Sequence, residues 1–275
     1  MADPRPPAAR PRGRPKSFHD KTEQNTVQSL DRALGLLRML GEVSGLTLSD
    51  LAARSGQAPA TVYRALMTLQ AHGMAEVEEP GQLWHVGGGA FRIGSAFLRR
   101  TKVVERARQP MEALMRATGE TANLGVENGD LVLFLSQVET HEAIRAFFPP
   151  GTKGPMHVSG IGKALLAWYP AAKVAGILAR QGLAKFTSLS ITAETALLRD
   201  LTRTRERGYA VDDQERAEGM RCIAAPVFNA YGEPVAGLSV SGPAFRVSLS
   251  DAGRLGALVR DAADVVTEAT GGQRP

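Results

Sequence analysis

LSDLAARSGQAPATVYRALMTLQAHG, residues 48–73, is the stretch from which the fold can be read. Leu48 opens a short helix to Arg54 with Leu51 and Ala52 turned inward, and Ser55-Gly56 supplies a tight turn. Pro59 takes the favoured first-turn position of the next helix, which runs through Thr61, Val62, Tyr63, Arg64, Leu66 and Leu69 to Gly73. Upstream, Val27, Leu30, Ala33, Leu34, Leu37 and Leu40 recur at helical spacing, predicting an earlier amphipathic helix that Gly45 ends. Three helices with a short glycine-containing turn before the last give a helix-turn-helix plan. Downstream the period changes from helical to alternating: Met74 to Glu78 and Leu83 to Val86 flank the turn Glu79-Pro80-Gly81-Gln82, which predicts a β-hairpin wing. Gly87-Gly88-Gly89 predicts a break, after which Phe91, Ile93, Ala96 and Phe97 describe a connector helix ending in Arg99-Arg100.

Charge agrees with a polyanion partner for this end. Residues 1 to 104 carry 14 Lys+Arg against 9 Asp+Glu, and residues 105 to 275 carry 19 against 19, so the whole net charge of +5 lies N-terminally. Residues 1 to 24, with five prolines and Arg10, Arg12, Arg14, Lys16 and Lys21, read as a mobile arm. Arg12 and Arg14 resemble hooks that enter a narrow minor groove; a solubilising tail is the other reading. A length of 275 residues with 43% hydrophobic and 22% charged residues suits two globular domains. The single Cys222 excludes an internal disulfide and any multi-cysteine zinc site. With no run of 18 apolar residues and no apolar segment behind the basic N-terminus, a cytoplasmic protein without a membrane partner is expected.

From residue 104 the order is mixed. The patterns predict a helix over 107–118, strands over 121–127 and 131–138 joined by Asn128-Gly129-Asp130, and a strand-like 143–148. Helices follow over 162–168, 171–180 and 193–207, then strands over 209–211, 222–228 and 234–241 and a closing helix over 251–270. Antiparallel hairpins with helices on the faces read as an α+β sensor domain. The expected division is a basic arm over 1–24, the DNA-binding domain over 25–88, a linker helix over 89–103, the sensor over 104–271 and a tail over 272–275.

Val-Gln-Ser-Leu-Asp-Arg-Ala-Leu at 27–34, Thr61-Val62-Tyr63-Arg64, His-Val-Ser-Gly-Ile-Gly-Lys-Ala at 157–164, Gly-Tyr-Ala-Val-Asp at 208–212, Cys-Ile-Ala-Ala-Pro-Val at 222–227 and Ala-Gly-Leu-Ser-Val-Ser-Gly at 236–242 stand in one order across the chain. In that order and spacing the chain resembles the IclR family of bacterial regulators over residues 26 to 271. The resemblance implies a winged helix-turn-helix, a dimerising linker helix, a GAF-like effector domain, and a homodimer or a homotetramer built as paired dimers. In relatives that sense glyoxylate or pyruvate, the pocket resembles a helix start with an Asp, a Cys and two serines. Carried over, these are Gly160, Ile161, Asp212, Cys222, Ser239 and Ser241, with Met220 and Leu238 as walls.

Read this way, Pro59, Ala60, Thr61, Tyr63 and Arg64 face double-stranded operator DNA, Arg64 as base reader or phosphate clamp. A single module makes few contacts, so two should act on paired half-sites, and the connector stripe Phe91, Ile93, Phe97 suits dimerisation or packing on the protomer's own wing. Ser159-Gly160-Ile161-Gly162 ahead of Lys163 reads as a small anion site or a tight packing turn, and Ala164 stands where a nucleotide loop requires Ser or Thr. The effector expected is a small 2-oxo acid, glyoxylate ahead of pyruvate. Asp212 conflicts with an anion unless a hydroxyl, a backbone amide or a raised pKa relieves it, and its acidic stretch to Glu215 also reads as a solvated loop. No cofactor or metal is expected. Two alternatives stay open, an architectural DNA binder and an enzyme using Cys222 with His141 or His157, although the five histidines His19, His72, His85, His141 and His157 are scattered.

Overall fold

The computed structural model describes residues 26–79, 82–100 and 102–275, with side chains of 97–100 excepted. Arg12 and Arg14 lie outside the described residues. The chain divides into two compact units between Ala96 and Phe97, inside the helix α4 (Gly88–Arg100).

The first unit holds α1 (Gln28–Glu42), α2 (Leu48–Ser55), α3 (Pro59–Ala71) and the antiparallel hairpin β1 (Ala75–Glu78) with β2 (Leu83–Val86). Helix α2 starts at a capping box, where Thr47 Oγ1 accepts the Asp50 amide at 3.1 Å and Asp50 Oδ2 accepts the Thr47 amide at 3.2 Å, and it ends at Gly56 with φ 65°. Leu36, Leu40, Leu51, Val62, Leu66 and Trp84 close the core. Two expectations need correction. The α1 stripe is tilted: Leu36 and Leu40 are buried, but Val27, Leu30 and Leu34 are 64%, 57% and 53% exposed, because only the C-terminal half of α1 meets α2 and α3. The Gly87 to Gly89 break is shorter than expected, with Gly87 alone between β2 and α4, which starts at Gly88. The glycines also serve close approach: a Cβ on Gly87 or Gly89 would stand 2.5 Å from the Gly73 carbonyl, to which the Gly89 amide donates at 2.7 Å.

The second unit contains α5 (Val103–Thr118), β3 (Thr121–Asn128), β4 (Leu131–Val138), β5 (Lys153–Pro155), a 3-10 turn Met156–Val158, α6 (Gly160–Leu166), α7 (Ala171–Gln181), α8 (Glu194–Arg207), β6 (Ala210–Asp213), β7 (Met220–Phe228), β8 (Pro234–Pro243) and α9 (Ala252–Ala269). The strands form one antiparallel sheet in the order β5-β4-β3-β8-β7-β6, so the molecule is α+β. Alternation along each strand sends one set of side chains against α5 and α9, including Leu124, Ile223, Leu238 and Val240, and the other against α6, α7 and α8. Residues 143–148 form no strand. The edge of β4 is taken by β5, pairing Leu131 with Pro155 and Leu133 with Lys153. The segment is instead tied by side chains, with Ala146 buried, Phe148 stacked on Phe134 at 4.9 Å and the Ile144 carbonyl accepting from Arg246 at 2.7 Å.

Candidate functional site

Two surfaces matter, one on each unit. On the first, α3 begins with Pro59 at its first position, and Val62, Leu66 and Leu69 bury one face. The opposite face presents Pro59, Ala60, Thr61, Tyr63 and Arg64, all exposed, Tyr63 by 49%. A helix held by three buried apolar anchors with its polar N-terminal face in solvent is the geometry a major-groove reader requires. Phe91 and Ile93 on α4 are 74% and 62% exposed, so they are not packed on the wing.

On the second unit, three neighbouring strands place Asp212, Cys222 and Ser241 in one cross-strand row, since Asp212 pairs with Cys222 and Cys222 with Ser241. These three residues, with Ser159, Gly160 and Ile161 at the start of α6, line a small cavity that is partly open to solvent. Phe134, Phe148, Pro155 and Val158 form apolar walls, and Lys153 and Arg216 also line it. The Gly-x-Gly turn serves close packing whatever else it does. A Cβ on Gly160 would lie 2.7 Å from Cys222 Sγ, one on Gly162 would overlap the Met156 carbonyl, and Ser159 Oγ accepts the Gly162 amide at 3.3 Å. Ile161 is wholly buried, its side chain set in the space that Gly237 leaves open, so its contribution to the cavity is chiefly backbone.

The other expected members lie elsewhere. Ser239 stands opposite Ala224, one step further along the sheet, wholly buried and outside the cavity lining. Leu238 points to the opposite face of β8, into the core against α5 and α9, because adjacent strand residues alternate sides. Met220 shares the Cys222 face but sits at the end of β7 opposite Pro243, beyond the cavity lining.

Burial pushes the Asp212 carboxyl up to about 7, with Glu215 adding to the effect. Lys163 and the backbone amides oppose it, the Glu215 N–H donating to Asp212 Oδ1 at 2.8 Å. A carboxyl half-neutral near pH 7 and fed by an amide repels an anion far less than an ordinary aspartate. Burial, reinforced by Asp212, raises the Cys222 thiol to about 11, with the neighbouring Ser241 and Ser239 hydroxyls and the Gly160 amide opposing the rise. The sulfur is therefore a neutral thiol, unsuited to nucleophilic attack. His157 is buried, its Nε2 3.0 Å from the Ala184 carbonyl, and burial lowers its pKa. Among the described residues no cluster of three His, Cys, Asp or Glu fits a metal ion, and no helix is long and apolar enough to cross a membrane.

Lys163 and Arg216 are functional candidates that sequence reading passes over. Lys163 is completely buried, its Nζ 2.5 Å from Glu215 Oε1 and 2.9 Å from Asp200 Oδ2. Burial alone would lower its pKa, but the two carboxylates outweigh that and hold it above the ordinary lysine value. Arg216 is half-buried, with its guanidinium 4.4 Å above the Phe186 ring. The partners of Lys163 lie 37 and 52 residues away in sequence, beyond the reach of any local spacing rule.

Comparison with known proteins gives one consistent answer. Residues 29–79 match the model of the IclR helix-turn-helix domain, and residues 95–268 match that of the bacterial transcriptional regulator IclR C-terminal domain. The HTH-type transcriptional regulator BhcR of Paracoccus denitrificans is 51% identical over 266 residues, covering 97% of this chain and 94% of that protein. The transcriptional repressor IclR of Escherichia coli is 37% identical over 268 residues, covering 96% and 97%. The crystal structure of Thermotoga maritima IclR superposes with a TM-score of 0.78 at 26% identity, covering 90% of this chain and all of that one.

Proposed function

This chain belongs to the IclR family of bacterial transcriptional regulators, and we propose that it grips a two-fold operator as a dimer or tetramer under control of a small 2-oxo acid held beside Asp212. Members of the family regulate transcription and are not enzymes; the high thiol pKa of Cys222 agrees with that. On this reading the DNA-binding domain spans residues 25–88, α4 lies in a dimerising linker over 89–103, and a GAF-like sensor occupies 104–271 in a cytoplasmic protein. Arg64 reads or clamps the duplex from the exposed face of α3, with Pro59, Ala60, Thr61 and Tyr63 around it and Arg12 and Arg14 in the minor groove.

The observation that carries the effector reading is the row Asp212, Cys222, Ser241 set against the Gly160 and Ile161 backbone. Its polar groups are close together and walled by aromatic and aliphatic side chains, which suits a compact head of two or three carbons. Glyoxylate is favoured over pyruvate, because its hydrated form offers hydroxyls that Asp212 accepts and has no methyl group to place among them. Ser239 supports the thiol from behind, and Met220 and Leu238 set the sheet position rather than touching the ligand.

Isothermal titration of the full chain with glyoxylate, pyruvate and longer 2-oxo acids tests this, together with anisotropy titration on operator duplexes. Saturable binding, tightest for glyoxylate and accompanied by changed operator affinity, is the expected result. Heatless titrations with every acid, and no rise in melting temperature, would leave the second unit a structural partner of an architectural DNA binder.

A further inference from the structure

We propose that Arg216 is the specificity-determining cation of the cavity, selecting an ionised acid over a neutral molecule of the same shape, and that the Lys163 ion-pair cluster fixes it there. The inference rests on the effector reading above. Among the residues lining the cavity, Asp212 carries the single carboxylate, and Lys153 and Arg216 carry the cationic groups. Lys153 is exposed to solvent, where water screens its charge. Arg216 is half-buried, and its flat guanidinium lies over Phe186 at 4.4 Å, which restricts its motion while leaving its N–H groups available. Among the described residues Arg216 makes no ion pair, whereas Arg221, five positions on along the same strand and loop, is bound to Asp213 at 2.6 Å. A positioned guanidinium without an internal counter-ion, facing a cavity, is suited to complete its charge balance with a ligand carboxylate.

The backbone before Arg216 is held from three directions. The Glu215 side chain reaches Lys163 on α6, whose Nζ also binds Asp200 on α8. The Glu215 amide donates to Asp212. Its carbonyl accepts from Ser190 Oγ at 2.7 Å, and the neighbouring Gln214 carbonyl accepts from Thr187 Oγ1 at 2.8 Å. Thr187 and Ser190 belong to the same loop as Phe186, so the surface under the guanidinium and the backbone that carries it are fastened to each other. Lys163 acts through this cluster as a positioning residue; Arg216 is the group that meets the ligand.

The test uses the full chain and two probes, glyoxylate and its neutral amide, titrated calorimetrically into wild type, Arg216→Gln and Arg216→Lys at one pH and ionic strength. Wild type should prefer the acid. Arg216→Gln should weaken acid binding by about 10- to 100-fold and leave amide binding within about threefold, because only the charge-assisted contact is lost. Arg216→Lys should recover part of the preference, a readout that mere loss of packing does not produce. If Arg216→Gln keeps the wild-type ratio of acid to amide affinity, the inference is wrong and the effector reading survives. If wild type binds neither glyoxylate nor pyruvate, both fall. Should Arg216→Gln lose its melting transition, Arg216→Lys decides alone: acid binding unchanged in affinity and salt dependence with the amide ratio intact sinks the proposal.

Discussion

Asp212 ties the pocket to pH. Its carboxyl is pushed up to about 7 by burial and by Glu215, against Lys163 and backbone amides, while Arg216 and the neutral Cys222 thiol share the cavity. Since its folded pKa exceeds the unfolded value of about 3.9, the native state holds the extra proton between those values. Its contribution to stability is therefore full below about pH 4, declines as pH rises, and is gone above about 7. Denaturant melts of wild type and Asp212→Asn across that range should show a steeper decline in wild type, since Glu215, also raised by burial, still contributes in the variant. Anion binding follows the same sign: glyoxylate affinity should fall by about tenfold from pH 6 to pH 8, tracking the protonated fraction, and the Asn variant should be flat. Lys163 offers a second check. Lys163→Met strands Glu215 without its cation and leaves Asp200 only Arg207 at 3.9 Å, a loss of about 3–5 kcal/mol for a buried pair, or roughly 6–20 °C in melting temperature for a unit of this size. A change under about 2 °C would mean that water screens the site. These residues also mark where sequence reading stops. The row Asp212, Cys222, Ser241 was legible through family resemblance, whereas Asp212 to Glu215 also reads as a solvated acidic loop, and nothing local reveals that Glu215 is buried against Lys163.

Secondary elements were more legible than their surroundings, for a physical reason. The three reader helices, the wing and the β3–β4 and β7–β8 hairpins are each specified by periodicity plus a nearby turn residue, a signal contained within a few residues. What a segment packs against is not contained there. The α1 stripe was read as one buried face, but only its C-terminal part, Leu36, Leu37, Met39 and Leu40, reaches the core; residues 143–148 have strand composition but no place beside β4, since β5 takes it. The same locality makes α3 testable as an element. Arg64 is exposed and off the core, so Arg64→Ala should leave the melting temperature within about 4 °C, the range of surface changes in a unit this small. It should nevertheless cost about 1–3 kcal/mol of operator affinity if the side chain reads a base. A uniform loss across sequences with a shallower salt dependence would assign Arg64 to phosphate instead. Operator affinity unchanged by the substitution would remove it from the interface.

At the scale of the whole molecule, the exposed apolar residues are the feature that a single chain leaves unexplained. Val27 at the N-cap of α1, Leu30 and Leu34 on α1, and Phe91 and Ile93 on α4 are each more than half exposed. Leu30 and Leu34 lie four residues apart, one above the other on α1, a contiguous stripe rather than scattered surface hydrophobics. On the proposed dimeric reading, a second copy of the chain would supply the matching surface by symmetry, as two operator half-sites would require. Linking two readers makes the second contact intramolecular, so avidity can exceed that of one module by roughly 10²–10⁴-fold without any new base contact. Charging the stripe should separate these effects. Leu30→Glu with Leu34→Glu adds two exposed carboxylates to α1, leaves the core residues Leu36 and Leu40 untouched, and should not unfold the reader. Sedimentation equilibrium should then show a smaller assembly than wild type. Operator affinity should drop by at least about 100-fold while affinity for a single half-site changes little. Glyoxylate titration should be unaffected, because the cavity lies wholly within the second unit. A double variant that keeps both its assembly state and its operator affinity would assign these side chains to another role and move the dimer contact off α1.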